Sequence, residues 1–311
     1  MNKVSSSLSN KMANISFVCA CLIVVIHACG AGVKGSFGWY VSEMVEKGVA
    51  RCAIPWFLFA SGFWLAGKFQ EDGWYVKVLV SRVRSLVVPY FCWCVIWGMF
   101  SLSLMACVNV AHGREWMTNF PVGVGWLRIV GLSSGPWYVP MWYIQALMAM
   151  TLLSPILALD RFGVLTVVSG VLWLADVDSP HVFCFSWMRL FFFAAGACIR
   201  CHIDVIEKCR GVCFTVLGWV GVIGVLVLAW CRVEASLTVG LLNPGAYADL
   251  YLRGIAIIGI PALLAIVPAR KFEGARTFSF PLYVMHCFPL ALLNPVLKRV
   301  IGDGGGVNHK F

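Results

Sequence analysis

Apolar runs of about twenty residues, separated by short polar stretches, fill the chain from residue 14 onward. An α-helix rises about 1.5 Å per residue, so a run of about twenty apolar residues crosses the hydrocarbon core of a bilayer. The pattern predicts spans near 14–33, 48–68, 83–107, 137–159, 163–175, 183–199, 211–230, 251–268 and 277–296. The fifth is short and reads as a tilted partner of its neighbour or a re-entrant segment. The expected fold is therefore all-α, a polytopic transmembrane helical bundle with nine to ten spans. It divides into a cytoplasmic N-terminal segment over 1–12, one membrane domain over 13–297 and a short polar tail over 298–311, with no internal repeat or linker.

Composition agrees with this pattern. Of 311 residues, 60% are hydrophobic and 12% charged, which is more apolar surface than a single water-soluble globule can bury. The excess of 24 Lys and Arg over 14 Asp and Glu would raise nucleic-acid binding in a soluble protein. Here the basic residues cluster between apolar runs, so the expected partner is the lipid bilayer and no nucleic acid is expected. With the N-terminus inside, the cytoplasmic side collects thirteen: Lys3, Lys11, Lys68, Lys77, Arg82, Arg84, Arg161, Arg200, Lys208, Arg210, Arg270, Lys271 and Arg276. The other side holds six, Lys34, Lys47, Arg51, Arg114, Arg128 and Arg232, and the positive-inside rule selects this orientation. Most of the 14 cysteines, Cys19, Cys21, Cys92, Cys94 and Cys198 among them, lie inside apolar runs and read as small buried hydrophobes. No Cys-x-x-Cys pair meets a matching His or Cys pair, so no metal is predicted. The first span follows Lys3 and Lys11 as a signal peptide would, but a histidine inside it and eight spans downstream fit a retained helix better.

Candidate chemistry rests on the polar groups inside the spans, each of which costs on the order of 2–3 kcal/mol to insert. His27 in the first span reads two ways, as a proton-transfer group suited by its near-neutral titration or as an interfacial histidine bonded to a neighbour. Ser61 and Gly62, followed by Phe63, are either a helix-packing contact or the lining of a passage for a thin ligand. Arg82 and Arg84 at the cytoplasmic start of the third span either snorkel to headgroups or present planar forks to a phosphate-bearing ligand. His286 in the last span is a packing hydrogen bond or a wall of a reaction cavity, in a span separate from that of His27. Outward loops near 108–136 and 231–250 carry His112, Trp116, Trp126, Asn243, Pro244 and Tyr247, whose aromatics suit an interfacial belt or a platform for sugar rings.

In this order the landmarks resemble the acyltransferase 3 family, membrane acyltransferases that include O-acetyltransferases of bacterial surface polysaccharides. The resemblance runs from about residue 13 to 296. It is carried by His27 closing the first helix, the run into Ser61-Gly62-Phe63, and the arginines before Pro89-Tyr90. Gly135-Pro136-Trp137-Tyr138-Val139-Pro140 opening a helix, Phe191 to Gly196, and Ser279 to His286 complete it. Two departures stand out. Ser16 occupies the position where the family usually has Arg or Lys, with ten residues between it and the histidine, and Lys11 lies a turn and a half earlier. The family also typically has about ten spans with both ends cytoplasmic, against nine here and a polar tail from Gly302 to Phe311.

The resemblance implies transfer of a short acyl group, most often acetyl, from acyl-CoA to a hydroxyl of a cell-surface glycan or lipid-linked saccharide. The setting would be the bacterial cytoplasmic membrane, alongside glycan-assembly enzymes. It implies His27 as general base, Arg82 and Arg84 on the coenzyme phosphates, Ser61, Gly62 and Phe63 along the acyl path, and His286, Trp137 and Tyr138 as candidate cavity walls. The competing expectation is a non-enzymatic transporter or flippase of lipid-linked glycan.

Overall fold

The computed structural model describes the backbone over residues 4–28, 35–115, 135–160, 163–180, 184–203, 212–237 and 244–293. Every predicted span meets helix, and no strand occurs among the described residues. Among the described residues, five helical stretches are long and apolar enough to cross a bilayer: Ser6–Ala28, Phe37–Ala66, Trp74–Ala111, Thr215–Ala235 and Asp249–Ile266. Val139–Leu152 and Val164–Leu174 are shorter apolar helices. By contact the chain separates into two compact units, Met1–Phe63 with Ile199–Phe311, and Trp64–Cys198.

In the first unit, α1 (Ser6–Ala28) already begins at Ser6, where the Ser5 hydroxyl accepts from the Leu8 amide. Residues 6–12 of the predicted N-terminal segment are thus helical. Next come α2 (Phe37–Glu46), a 3₁₀ turn (Val49–Cys52) and α3 (Ala53–Ala66). The short α2, capped by the Ser36 hydroxyl accepting from the Trp39 amide, has no counterpart among the predicted spans. Its apolar run is interrupted by Glu43, Glu46 and Lys47, and so falls below the length rule.

The later helices of this unit are α10 (Val212–Leu237), α11 (Pro244–Ile266) and α12 (Ala275–Met285), with helical turns again over 287–293. A loop expected near 231–250 is therefore largely helix. Arg232 and Glu234 continue α10 as polar residues at its end, and Pro244 opens α11, where a missing amide N–H costs nothing. α10 and α11 are the most closely packed pair. A Cβ on Gly218 would fall 2.4 Å from Cβ of Ala265, so only glycine there permits the backbones to approach this closely.

The second unit contains α4 (Trp74–Arg82), a π turn (Val83–Val87) and α5 (Val88–Ala111), which form one continuous helix. At about 1.5 Å per residue its 38 residues extend about 57 Å, longer than the about 40–45 Å of a bilayer with its headgroups. Beyond the 3₁₀ turn Val139–Met141 lie α6 (Trp142–Leu152) and α7 (Ser154–Leu159), so the run predicted as one span over 137–159 is broken. Pro155 is the cause: its ring clashes with the carbonyl four residues back, that of Thr151, which the Ser154 hydroxyl takes up at 2.6 Å. α8 (Val164–Leu174) is capped by the Asp160 carboxylate, which accepts from the amides of Val164 and Leu165, both at 2.8 Å. α9 (Trp187–Cys201) runs from this unit into the first.

Candidate active site

His27 sits in the last turn of α1, about 30 Å along the helix from Ser6, and is half-buried. α1 packs lengthwise on α12. The contact is fixed near its start by polar bonds: the Asn14 amide donates to the carbonyls of Pro268 (2.9 Å) and Arg270 (2.7 Å), and Arg276 donates to the Ser9 hydroxyl at 2.8 Å. At the other end the ring of His27 stacks on that of His286, with centroids 4.9 Å apart and planes inclined by 28°. The sequence assigns these histidines to separate spans, and the fold makes them one group.

His286 is 3% exposed and lies at the turn between Met285 and the helical turns over 287–293. Its Nδ1 is 2.6 Å from the Tyr283 carbonyl. A carbonyl only accepts, so Nδ1 carries the proton and donates. Nε2 then faces Cys287 Sγ at 3.3 Å, as acceptor of the thiol proton. The Tyr283 ring also lies against those of His286 (6.3 Å) and Phe57 (6.1 Å), bringing α3 into the same aromatic row.

Ser16 on α1 has a defined place. Its hydroxyl donates to the Met12 carbonyl (2.9 Å) and accepts from Trp56 Nε1 (3.1 Å). The Trp56 side chain is fully buried, so this bond satisfies an indole N–H that has no access to water. Charged groups also stand close to His27: Arg51 of the 3₁₀ turn is among those that act on it. Arg51 donates to the Glu46 carbonyl at 3.0 Å and lies in the field of Glu46, Arg232 and Glu43. Arg51 and Arg232, expected in loops, thus belong to helical elements. Glu43 is buried and paired with Lys47 at 2.6 Å.

On α3, Gly62 and Phe63 are buried and Ser61 half-buried. Phe63 stacks with Phe59, and the guanidinium of Arg200 lies over its ring at 5.6 Å. Arg200, expected in a cytoplasmic loop, is instead in the last turn of α9 and 6% exposed. The apolar run ends only one residue later, at Cys201, yet the side chain lies along the Phe63 ring and not out in water.

In the second unit the two arginines part company. Arg84 is exposed and, with Lys77, Ser81, Ser85, Val76 and Val80, lines an open depression of about 630 Å³. Arg82 is half-buried with Tyr143 as its electrostatic neighbour. Arg82 immediately precedes the π turn and Arg84 lies within it, a distortion often found at functional sites. Tyr138 is buried with its ring stacked on Trp97 (4.8 Å, 22°), and Trp137 is half-buried. A buried polar chain runs nearby: Gln145 Nε2 donates to the Tyr90 hydroxyl at 2.6 Å, and the Cys184 thiol donates to Gln145 Oε1 at 3.0 Å. Arg189 donates to the Cys184 carbonyl and lies over the Trp142 ring at 4.4 Å. The sequence reading passes over this group, although a lone Gln in the middle of an apolar run is the signal that marks it. His112 caps the end of α5 through the Val108 carbonyl at 2.7 Å. Trp116, Trp126 and Asn243 lie outside the described residues, as do the side chains of Pro244 and Tyr247.

No group of His, Cys, Asp and Glu able to hold a metal occurs among the described residues. No curated protein and no solved structure matches the chain. Comparison with protein families matches residues 15–306 to the acyltransferase 3 family, described as an acyltransferase domain. A match over nearly the whole chain, on a membrane-spanning helical architecture, places this protein in the acyltransferase 3 family as a membrane acyltransferase.

Proposed function

We propose that the protein transfers a short acyl group, acetyl in the first instance, from acyl-CoA to a hydroxyl of a cell-surface glycan or lipid-linked saccharide. The membrane is the bacterial cytoplasmic membrane and the N-terminus faces the cytoplasm. The observation that carries the reading is a half-buried imidazole, His27, held by a second imidazole at the end of a membrane helix. In an apolar bundle each such group is costly, and a proton-transfer role accounts for its presence.

The thioester supplies the activation. His27 takes the proton of the acceptor hydroxyl as its oxygen bonds to the thioester carbonyl carbon. The C–S bond then breaks, and the proton passes from His27 to the departing sulfur. Phe63, Gly62 and Ser61 on α3 are the residues for the acyl path, and the Arg200 cation over Phe63 supplies positive charge on that wall. For the donor, Arg84 and Lys77 offer two cations and Ser81 and Ser85 two hydroxyls on one open surface, which suits a polyphosphate. The π turn and the length of the 74–111 helix favour an interfacial position for that surface.

The test is incubation of membranes containing the protein with acetyl-CoA labelled in the acetyl group, followed by isolation of the surface glycan. Label in ester linkage to glycan is expected. Movement of lipid-linked glycan across the bilayer without consumption of acetyl-CoA would replace this reading with transport.

A further inference from the structure

We infer that His286 is the positioning residue for His27, acting through the face of its ring; the inference rests on the proposed role of His27 as base. Three observations carry it. The rings are stacked, 4.9 Å apart. His286 is 3% exposed and held at both nitrogens, by donation from Nδ1 to the Tyr283 carbonyl at 2.6 Å and by Cys287 Sγ 3.3 Å from Nε2. It also follows directly on α12, in right-handed helical backbone that continues over 287–293. With both nitrogens engaged, His286 is poorly placed to exchange protons with substrate. What it presents to α1 is a flat surface of fixed orientation.

His27 needs such a surface. It lies in the last turn of α1. Its Cβ–Cγ torsion is of the broad kind that a helix backbone does not fix. A ring stacked at this distance restricts that torsion and so restricts the line along which an imidazole nitrogen meets an acceptor hydroxyl. Rate depends steeply on that alignment. The two ends of the α1–α12 contact then have distinct duties: Asn14 and Arg276 fix the register of the helices, and the histidine pair fixes the ring.

The experiment uses the full chain in membranes with labelled acetyl-CoA, rates being normalised to the amount of folded protein. His286→Ala is expected to lower kcat about tenfold, equivalent to about 1.4 kcal/mol. The KM for acetyl-CoA should stay within about twofold. His286→Phe, which restores a flat ring without nitrogens, should recover at least a third of the normal rate. A rate for His286→Ala within about twofold of normal would overturn the inference. So would His286→Phe as slow as His286→Ala, because the nitrogens rather than the face would then matter. If His286→Ala does not accumulate, His286→Phe decides alone: a third of the normal rate or more upholds the inference and less overturns it. Absence of transfer by the unsubstituted chain would refute the proposed function and this inference with it, and is distinguishable from an active chain indifferent to residue 286.

Discussion

Replacing Ser16 by Ala tests whether its hydroxyl has a structural duty. The change deletes one oxygen, and that oxygen is what the Trp56 indole donates to, at 3.1 Å. Trp56 is fully buried, so its N–H is left without water or partner. Stranding a buried donor costs about 1–3 kcal/mol. The Met12 carbonyl loses little, because it can keep its helical bond. Trp56→Phe removes the donor together with part of the indole and costs a further cavity term, about 3–5 kcal/mol at most by comparison with full truncation to Ala. In the double variant Ser16→Ala with Trp56→Phe no donor remains to be stranded, so the two losses should fall short of adding by about 1 kcal/mol. The assay is reversible unfolding in mixed micelles by sodium dodecyl sulfate for the four chains. Acyl transfer by Ser16→Ala should stay within about threefold of normal. Stability of Ser16→Ala equal to the unsubstituted chain, or strict additivity of the pair, would refute the argument.

Further outcomes are expected. Arg84→Gln should raise the KM for acetyl-CoA about tenfold to a hundredfold by losing a charge-assisted bond of about 1.5–3 kcal/mol, and Arg82→Gln, beside Tyr143, should raise it less; an unchanged KM for Arg84→Gln returns that residue to the lipid headgroups. Lys47→Ala removes the ion-pair partner of the Glu43 carboxylate, 4% exposed, leaving it only the field of Arg51, and should lower stability by about 1–3 kcal/mol, whereas Glu43→Gln with Lys47→Ala should cost less; equal losses in the same unfolding assay would contradict this. Cysteine reporters at Asp72 and Arg114, at the two ends of the 74–111 helix, should label from opposite faces of the membrane in a chain otherwise free of cysteine; labelling from one face would exclude this crossing.

The helices were legible because bilayer thickness imposes a length and a polarity on each, which is why all nine predicted spans meet helix. Elements that escape that constraint were not legible. α2 is ten residues long with Glu43 buried in it, and the division between α6 and α7 follows from a single Pro155. The candidate site was legible as residue types at separate positions, since a histidine inside a span is conspicuous whatever lies opposite. That His27 meets His286, 259 positions later, depends on which helices pack together, and amphipathic periodicity says little about neighbours when lipid and protein interior are equally apolar. For the same reason Arg200 reads as a loop residue, although the fold lays it over Phe63. Ser16 reads as a missing charge until Trp56, forty residues on, is seen to need its hydroxyl.

The central claim is that His27 performs the proton transfer of an acyl transfer reaction. Its most direct measurement compares membranes containing the unsubstituted chain with membranes containing His27→Ala at matched amounts of folded protein, each given labelled acetyl-CoA. A general base contributes about 10²–10⁴-fold to rate, so label in glycan ester should fall by at least about a hundredfold, with unfolding in mixed micelles little changed. Near-normal transfer by His27→Ala at normal abundance would contradict the account.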